Sequence, residues 1–324
     1  MNKGIALEQV LSNDTRTVIF GQRDLDALRE LGAQVVRLEL RLGPNPAWDQ
    51  ALLDRYAGIV SRLQGLGIAV IGLLSHQIVA GPRQVDWNAN NAENGGTGTN
   101  PFVDRYVEAA TQLARAFQGI PLWEIWNEPN AWTRHPSPTE YSGSTFIYPS
   151  IYAGLLTRVI QQIKGTRQDA RIMSGGVFCH NIGGDLTPDS AGAGYLQAVA
   201  SRLERATIGQ LEAIGLHIYL DHSGVLNPKN LRTALTFIQR AVPGMEKKPI
   251  DITEAGWQSP PLAPEVQAAN LRTLFQASKD AGNVGMVCWF LIRDNPAAKL
   301  SFGLCRADYS RKLAFAEFAK IPAR

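Results

Sequence analysis

Two apolar segments of the chain each contain a glutamate at or near their end. The first reads WEIWNEPN (123–130), where Pro129 directly follows Glu128, and the second reads DITEAGW (251–257), which includes Glu254. Moving a carboxylate out of water costs on the order of several kcal/mol unless the group is paired or put to use. We therefore expect the two glutamates to serve one site, where one carboxyl group transfers a proton and the other attacks.

Other polar and aromatic residues also stand at the ends of apolar runs. They are Arg37, Glu39 and Arg41 in and directly after the run 34–40, His76 after the run 68–74, Asn127 beside Glu128, His217 and Tyr219 in the run 213–219, and Trp289 in the run 284–290. Because strand side chains alternate between two faces, Arg37 shares a face with Glu39 and Arg41, and His217 shares one with Tyr219. The pattern predicts inward-facing polar layers.

The elements that would position these residues alternate along the chain. Eight short runs read as buried strands: 3–7, 34–40, 68–74, 121–126, 170–176, 213–219, 249–253 and 284–290. Amphipathic stretches such as FVDRYVEAATQLARAFQG and EVQAANLRTLFQASKDAG lie between them, and several end on a glycine, as helices commonly do. This order predicts an α/β fold, a single-domain (β/α)8 TIM barrel over 1–324, with the functional residues at the C-terminal ends of its strands.

A doubly wound sheet is the alternative fold. It would place a glycine-rich phosphate loop after an early strand, and the sequence contains no GxGxxG. Two connections, 75–100 and 129–149, are too long for simple turns, and long loops in compact domains are usually functional or disordered. Both would emerge at the same end of the barrel.

The composition limits the class of partner. Of 324 residues, 45% are hydrophobic and 19% charged, and the net charge of +3 includes no dense basic run, so we expect neither nucleic acid nor a membrane as partner. Cys179, Cys288 and Cys305 show no paired spacing. The amino terminus lacks the apolar core of a signal peptide, which predicts a soluble, cytoplasmic protein, or an extracytoplasmic one if a leader has been removed.

WEIWNEPN together with DITEAGW resembles the clan A glycoside hydrolases, retaining (β/α)8 enzymes that include the cellulase-like family five and the xylosidase-like family thirty-nine. The resemblance implies Glu128 as acid/base and Glu254 as nucleophile. It also implies that Asn127 holds the sugar 2-hydroxyl and that Arg37 keeps Glu254 ionised. Tyr219 matches a tyrosine that bonds to the nucleophile, and His217 matches a histidine on the same strand.

The resemblance further implies aromatic rings under the sugar. Trp289 matches the stacking platform at the end of the eighth strand, with core packing as the alternative, and Trp257 follows the nucleophile closely. His76 could bind sugar or cap a loop. Trp257, Trp132 and Trp87 could be binding residues or loop anchors, whereas Trp48 suits packing. The polar loop 84–101 suits polyol recognition and equally a solvated loop.

Some alternatives remain open for the charged residues. Arg37 could simply neutralise Glu124, which has the same strand parity as Glu128, and Glu39 and Arg41 could pair with each other on the rim. Asp221 and His222 could also line the rim. A metal-dependent hydrolase would need clustered ligands, but His76, His135, His180, His217 and His222 are scattered in sequence, so we expect no metal and no cofactor.

The interpretation that follows is a retaining β-glycoside hydrolase that cleaves a β-linked oligo- or polysaccharide by double displacement. The partner would be a carbohydrate substrate, and the protein a monomer or weak homo-oligomer. The alternative is a sugar-binding barrel whose catalysis has decayed.

Overall fold

The computed structural model describes residues 1–7, 9–131, 144–180, 182–219 and 224–322. The predicted fold is confirmed: parallel strands form a closed barrel surrounded by helices. The strands are β1 (Asn2–Leu7), β2 (Val35–Glu39), β3 (Ala69–Leu74), β4 (Leu122–Ile125), β5 (Arg171–Ser174), β6 (Val177–Cys179), β7 (Leu211–Tyr219), β8 (Ile250–Gly256) and β9 (Val284–Phe290).

The nine strands found in the described part of the chain fill eight barrel positions. The order is β5-β4-β3-β2-β1-β9-β8-β7-β6, and β5 also pairs with β7, which closes the ring. β5 and β6 are consecutive segments of the fifth position, since both pair with β7 and only Gly175 and Gly176 separate them. β7, β8 and β9 are therefore the sixth, seventh and eighth positions of the barrel.

The helices cover the outside of the barrel. They are α1 (Gln22–Leu31), α2 (Gln50–Gly65), α3 (Gln84–Trp87), α4 (Pro101–Ala116), α5 (Pro149–Thr166), α6 (Ala193–Ala200), α7 (Arg205–Gly209), α8 (Pro228–Ala241), α9 (Pro264–Ala281) and α10 (Leu313–Lys320). Asp49 and Asn100 accept backbone hydrogen bonds at the starts of α2 and α4, and Gly32 and Gly282 end α1 and α9 with positive φ. The sequence therefore sets one end of each of these four helices.

Two apolar layers hold the barrel together. The large layer lies between strands and helices, and a small cluster fills the barrel interior: Ala6, Val35, Ile71, Leu122, Met173, Ala213, Met286 and Cys288. Arg37 and Glu124 follow Val35 and Leu122 by two residues, so strand alternation places them directly above this cluster. The apolar interior is thus the floor beneath a polar layer at the C-terminal ends of the strands.

Among the described residues, no helix combines the length and the apolar character that crossing a membrane would require. The three cysteines are buried and form no disulfide.

Candidate active site

A buried arginine joins two glutamates at the centre of the barrel mouth, the opening at the C-terminal ends of the strands. Nε of Arg37 donates to Glu124 at 2.5 Å, Nη2 donates to the other oxygen of Glu124 at 3.2 Å, and Nη1 donates to Glu254. Burial opposes the charged form of Arg37, but the two carboxylates outweigh it and raise the pKa of Arg37. Arg37 therefore satisfies both roles that the sequence left open, since it pairs with Glu124 and with Glu254.

Glu124 belongs to the lower, structural part of this cluster. It is fully buried, and its carboxylate also accepts hydrogen bonds from the backbone N–H of Gly176 at 2.8 Å and the hydroxyl of Thr253 at 3.0 Å. Burial alone would raise the pKa of Glu124, but Arg37 and His217 outweigh it and lower that pKa to about 2. Glu124 is thus a permanent anion that orients Arg37.

Glu254 and Glu128 form the upper part of the cluster. The hydroxyl of Tyr219 donates to Oε2 of Glu254 at 2.5 Å, while Arg37 donates to Oε1, so both oxygens are held. Oε1 of Glu128 lies 2.9 Å from Nδ1 of His217. Side-chain exposure is 11% for Glu254 and 20% for Glu128, and one oxygen of each lies within 4.8 Å of the other. The structure therefore brings the two sequence-predicted glutamates together, both accessible from the mouth.

His217 lies between these carboxylates. Its Nε2 is 3.1 Å from the hydroxyl of Thr253, and its Nδ1 is 3.6 Å from Glu254 as well as 2.9 Å from Glu128. Burial disfavours the imidazolium, but Glu254, Glu124 and Glu128 together outweigh burial and raise the pKa of His217 to about 9. The ring is thus within hydrogen-bond distance of Glu128 and in ion-pair contact with Glu254.

Asn127 also belongs to this cluster. Its side-chain Oδ1 accepts from Nη2 of Arg37 at 2.8 Å, so the amide nitrogen is the side-chain donor that this contact does not use. Asn127 is half-buried.

His76 lies farther out, directly after β3. Its ring centroid is 5.9 Å from that of Trp126, and its Nδ1 is buried with no hydrogen-bond partner among the described residues. Burial lowers the pKa of His76, against the opposing influence of Glu39. Glu39 and Arg41 form a salt bridge of 2.5 Å with each other, as the sequence suggested for the rim.

The structure corrects the placement of Trp289 and Trp257. Both rings are buried, at 0% and 1% exposure, and their centroids are 5.5 Å apart. The indole N–H of Trp289 donates to the carbonyl of Phe302 at 2.9 Å. The reason is strand alternation: on β9, Met286 and Cys288 face the barrel interior, so Trp289 faces the helices. Trp289 packs in the core and offers no free face to a sugar.

The side chain that reaches the mouth from β9 is Phe290, which the sequence reading missed. It is half-buried above the interior cluster, and its ring lies 6.1 Å from Tyr219 and 5.5 Å from Phe302. Phe178, on β6, lies 6.0 Å from Tyr219. The two-residue spacing of Met286, Cys288 and Phe290 was the signal that could have identified this ring. Half-buried aromatic rings therefore surround Tyr219.

The long connection 75–100 is mostly a folded anchor. Trp87 is buried at 1% exposure, with its ring 5.2 Å from that of Trp126. The side chain of Asn88 bonds to the backbone of Phe146 and Tyr148 at 2.9 and 2.6 Å. Two uses were left open for the polar loop, polyol recognition and a solvated loop, but its buried asparagines Asn88 and Asn100 instead bond to backbone within the protein. Trp132, His135, Asp221 and His222 lie outside the described residues.

Three of the residues at the mouth could also ligate a metal ion. One atom each from Glu128, His217 and Glu254 lies within 4.8 Å of the others. His217, one of the five histidines that are scattered in sequence, thus lies in a cluster with two carboxylates. However, the oxygens of Glu254 already accept from Arg37 and Tyr219, and Nη2 of Arg37 lies 3.4 Å from His217, so a cation here would compete with a guanidinium.

No protein-family model matches the sequence, and no curated protein matches it. Solved structures do match. A family 39 glycoside hydrolase from the gut symbiont Bacteroides cellulosilyticus WH2 gives a TM-score of 0.64 at 18% identity, covering 98% of this chain and 62% of that one. A GH5_18 protein from Streptomyces cattleya, in complex with Manβ1-4GlcNAc, gives 0.69 at 16% identity, covering 99% and 82%.

A third structure matches over its full length. It is a GH128 (subgroup II) endo-β-1,3-glucanase from Sorangium cellulosum, with a TM-score of 0.61 and 14% identity, covering 100% of both chains. This chain spans less than two thirds of the length of the family 39 protein. The predicted resemblance to glycoside hydrolases is therefore confirmed at the level of the fold.

Proposed function

We propose that the protein is a retaining β-glycoside hydrolase acting on a β-linked oligo- or polysaccharide. One observation carries the proposal: oxygens of Glu128 and Glu254 lie within 4.8 Å of each other at the mouth of the barrel. Retaining enzymes place their two carboxyl groups about 5–5.5 Å apart, whereas inverting enzymes place them about 6.5–9.5 Å apart to admit a water molecule. The separation supports direct attack by a carboxylate.

In the first step, Glu254 attacks the anomeric carbon while Glu128 gives its proton to the departing glycosidic oxygen. The new bond joins an oxygen of Glu254 to that carbon, and the aglycone leaves as an alcohol. Arg37 and Tyr219 suit Glu254 to this role, because their hydrogen bonds hold both of its oxygens and fix the direction of the carboxyl group.

In the second step, Glu128 removes a proton from water, and the water oxygen displaces Glu254 from the anomeric carbon. The sugar leaves with its original configuration, and Glu128 regains its proton. His217, in hydrogen-bond contact with Glu128, orients that carboxyl group during both steps.

Two further residues would hold the sugar. The amide N–H of Asn127 would donate to the 2-hydroxyl, a contact that strengthens in an oxocarbenium-like transition state. Phe290, in place of Trp289, would stack under the sugar ring with the apolar face that it presents at the mouth.

The experiment is a hydrolysis panel of aryl β-glycosides, β-1,3-glucan and Manβ1-4GlcNAc, the last two chosen from the names of the structural neighbours. We expect hydrolysis of at least one compound, with a loss of about 100-fold or more in Glu128→Gln and Glu254→Gln. Glu108→Gln, on the exposed face of α4, is the matched control and retains full activity.

The two competing functions give other results. A sugar-binding barrel without catalysis binds panel compounds but releases no product. A metal-dependent hydrolase loses its activity on dialysis against EDTA and recovers it with a divalent cation, whereas the proposed enzyme is unaffected by EDTA.

A further inference from the structure

The backbone of Glu128 has a positive φ, a conformation that non-glycine residues rarely adopt. Its φ is +45°, and Trp126, two residues earlier, has φ of +75°. Such conformations persist only where the surroundings fix them. The backbone around Trp126 is fixed by its own N–H, which donates to Leu74 at 2.8 Å, and by its indole, which donates to Thr145 at 2.7 Å. After it, the carbonyl of Glu128 accepts from the N–H of Ala131 at 2.9 Å and from the hydroxyl of Thr145 at 3.0 Å.

The side chain of Asn130 adds a tie from this loop to strand β6. Its Nδ2 donates to the carbonyl of Phe178 at 2.9 Å, and its Oδ1 accepts from the N–H of Phe178 at 2.7 Å. Asn130 is only 3% exposed, so water does not compete for these bonds. A side-chain amide carries both a donor and an acceptor, so it can bond to the carbonyl and to the N–H of the same residue. The amide pairs with β6 much as a neighbouring strand would, although β4 ends at Ile125.

Through Phe178, Asn130 is also connected to the residue that contacts the acid/base carboxyl group. Phe178 of β6 is aligned with His217 of β7 in the sheet, and Nδ1 of His217 lies 2.9 Å from Glu128. The loop that carries Glu128 and the histidine that contacts Glu128 are therefore fixed to the same residue, Phe178. A shift of this loop would move the carboxyl group relative to both His217 and Glu254.

We infer that Asn130 is a positioning residue for Glu128, holding the proton donor in place through Phe178. The inference rests on the proposed function. It has a specific kinetic consequence, because protonation matters for a poor leaving group and hardly matters for one that departs readily as an anion. Loss of Asn130 should therefore impair the enzyme selectively, according to the leaving group.

The test compares two aryl β-glycosides of the sugar that the hydrolysis panel identifies, one with phenol and one with 2,4-dinitrophenol as leaving group. In Asn130→Ala, kcat/KM for the phenyl glycoside should fall by about 10- to 100-fold, and that for the dinitrophenyl glycoside by less than about threefold. Asn130→Asp, which keeps the acceptor but loses the donor, should lie between the wild type and Asn130→Ala.

A purely structural role gives a different result. Equal losses on both substrates, or no loss on either, would overturn the inference, and melting temperatures of both variants show how much of the protein remains folded. Glu254→Gln separates the two proposals. If that variant keeps full wild-type activity, the proposed function fails and the inference with it; if Glu254→Gln is inactive but Asn130 shows no selectivity, only the inference fails.

Discussion

At the scale of single residues, Arg37 links the structural and the reactive halves of the site. Below it, Glu124 is a fully buried anion; above it, Glu254 faces the mouth. Breaking a buried ion pair by removing one partner costs about 3–5 kcal/mol, because the remaining charge is left without compensation. The same guanidinium therefore contributes to stability through one carboxylate and to reactivity through the other.

A double-variant cycle can distinguish the contribution of Arg37 to stability from its contribution to activity. Arg37→Met should lower the free energy of unfolding by about 3–5 kcal/mol and reduce kcat/KM by about 100-fold or more. Adding Glu124→Gln should recover part of the stability, because the buried charge disappears, but none of the activity, because Glu254 still lacks its donor. Urea denaturation and kinetics on the panel substrate measure both.

Recovery of activity in the double variant would contradict this account, since it would mean that Arg37 acts only through Glu124. Strictly additive losses of stability would show that Arg37 and Glu124 are not coupled.

The residue contacts were predictable to different degrees. Strand parity places Arg37, Glu124 and His217 on inward faces, so their meeting follows from the sequence once the barrel is assumed. The contact between Glu128 and His217 could not be predicted, because it depends on the positive φ of Glu128 after β4 ends. The Asn130 pairing with Phe178 is equally invisible, since nothing local marks an asparagine that bonds to a strand far along the chain.

At the scale of elements, β9 shows how one residue of register changes the site. The run VGMVCWF ends on two aromatic residues, and the more conspicuous tryptophan points to the helices, whereas Phe290 points to the mouth. The resemblance to a family predicted a tryptophan as the stacking platform. The positions of Met286 and Cys288 show instead which residues of β9 face the barrel interior. Where the interior residues of a strand can be recognised, the alternation of its side chains predicts the face of each residue better than resemblance does.

The two aromatic residues should therefore respond oppositely to truncation. Trp289→Ala should destabilise the protein by about 3–5 kcal/mol while kcat/KM of the folded fraction stays near that of the wild type. Phe290→Ala should cost less stability, since the ring is half-exposed, but should lower kcat/KM by about tenfold through lost stacking. Denaturation curves and kinetics at a temperature where both variants are folded give the comparison. The reverse pattern would restore Trp289 as the platform.

The fifth barrel position was only partly predicted. The run ARIMSGG correctly indicates β5, but the strand resumes after the two glycines as β6. The interruption has a steric reason: a Cβ on Gly176 would lie 2.2 Å from the ring of His217, and one on Gly175 would lie 2.4 Å from the carbonyl oxygen of Trp126. The glycines are thus required by a close approach, which a strand pattern cannot reveal.

At the scale of the whole molecule, Asp251 is a buried acidic group of the barrel that the proposed chemistry does not use. Asp251, on β8, is 3% exposed, and its Oδ1 has no hydrogen-bond partner among the described residues. Burial raises the pKa of Asp251 to about 7, against the opposing influence of Arg171. The folded protein therefore holds a proton on Asp251 at pH values where an unfolded chain has released it.

The sign of the effect on stability follows from this difference. Stability from protonated Asp251 is fully present below its unfolded pKa near 4 and is lost as the pH rises through about 7. Asp251→Asn should remove this loss, which is on the order of 4 kcal/mol between pH 4 and pH 8. Urea denaturation across that range, with Asp54→Asn on the exposed face of α2 as control, measures it. A wild type and an Asp251→Asn variant with parallel pH profiles would contradict the assignment.

The overall architecture was the most predictable level, because eight strand runs separated by amphipathic helices leave few alternatives. Substrate identity was the least predictable, because it depends on loops whose asparagines, such as Asn88 and Asn100, turned out to bond to their own backbone surroundings. What the fold does define is a mouth with two carboxyl groups in distinct environments: Glu254 between Arg37 and Tyr219, and Glu128 beside His217.

Azide rescue tests those two roles most directly. With an activated aryl β-glycoside of the panel sugar, Glu254→Gly should be inactive until azide is added and should then release the α-glycosyl azide, because azide attacks in place of the nucleophile. Glu128→Gly should instead give the β-glycosyl azide, because azide then displaces Glu254 from the glycosyl-enzyme. NMR of the products distinguishes the anomers. Wild-type activity in Glu254→Gly, or a β-glycosyl azide from that variant, would contradict the assignment of Glu254 as nucleophile.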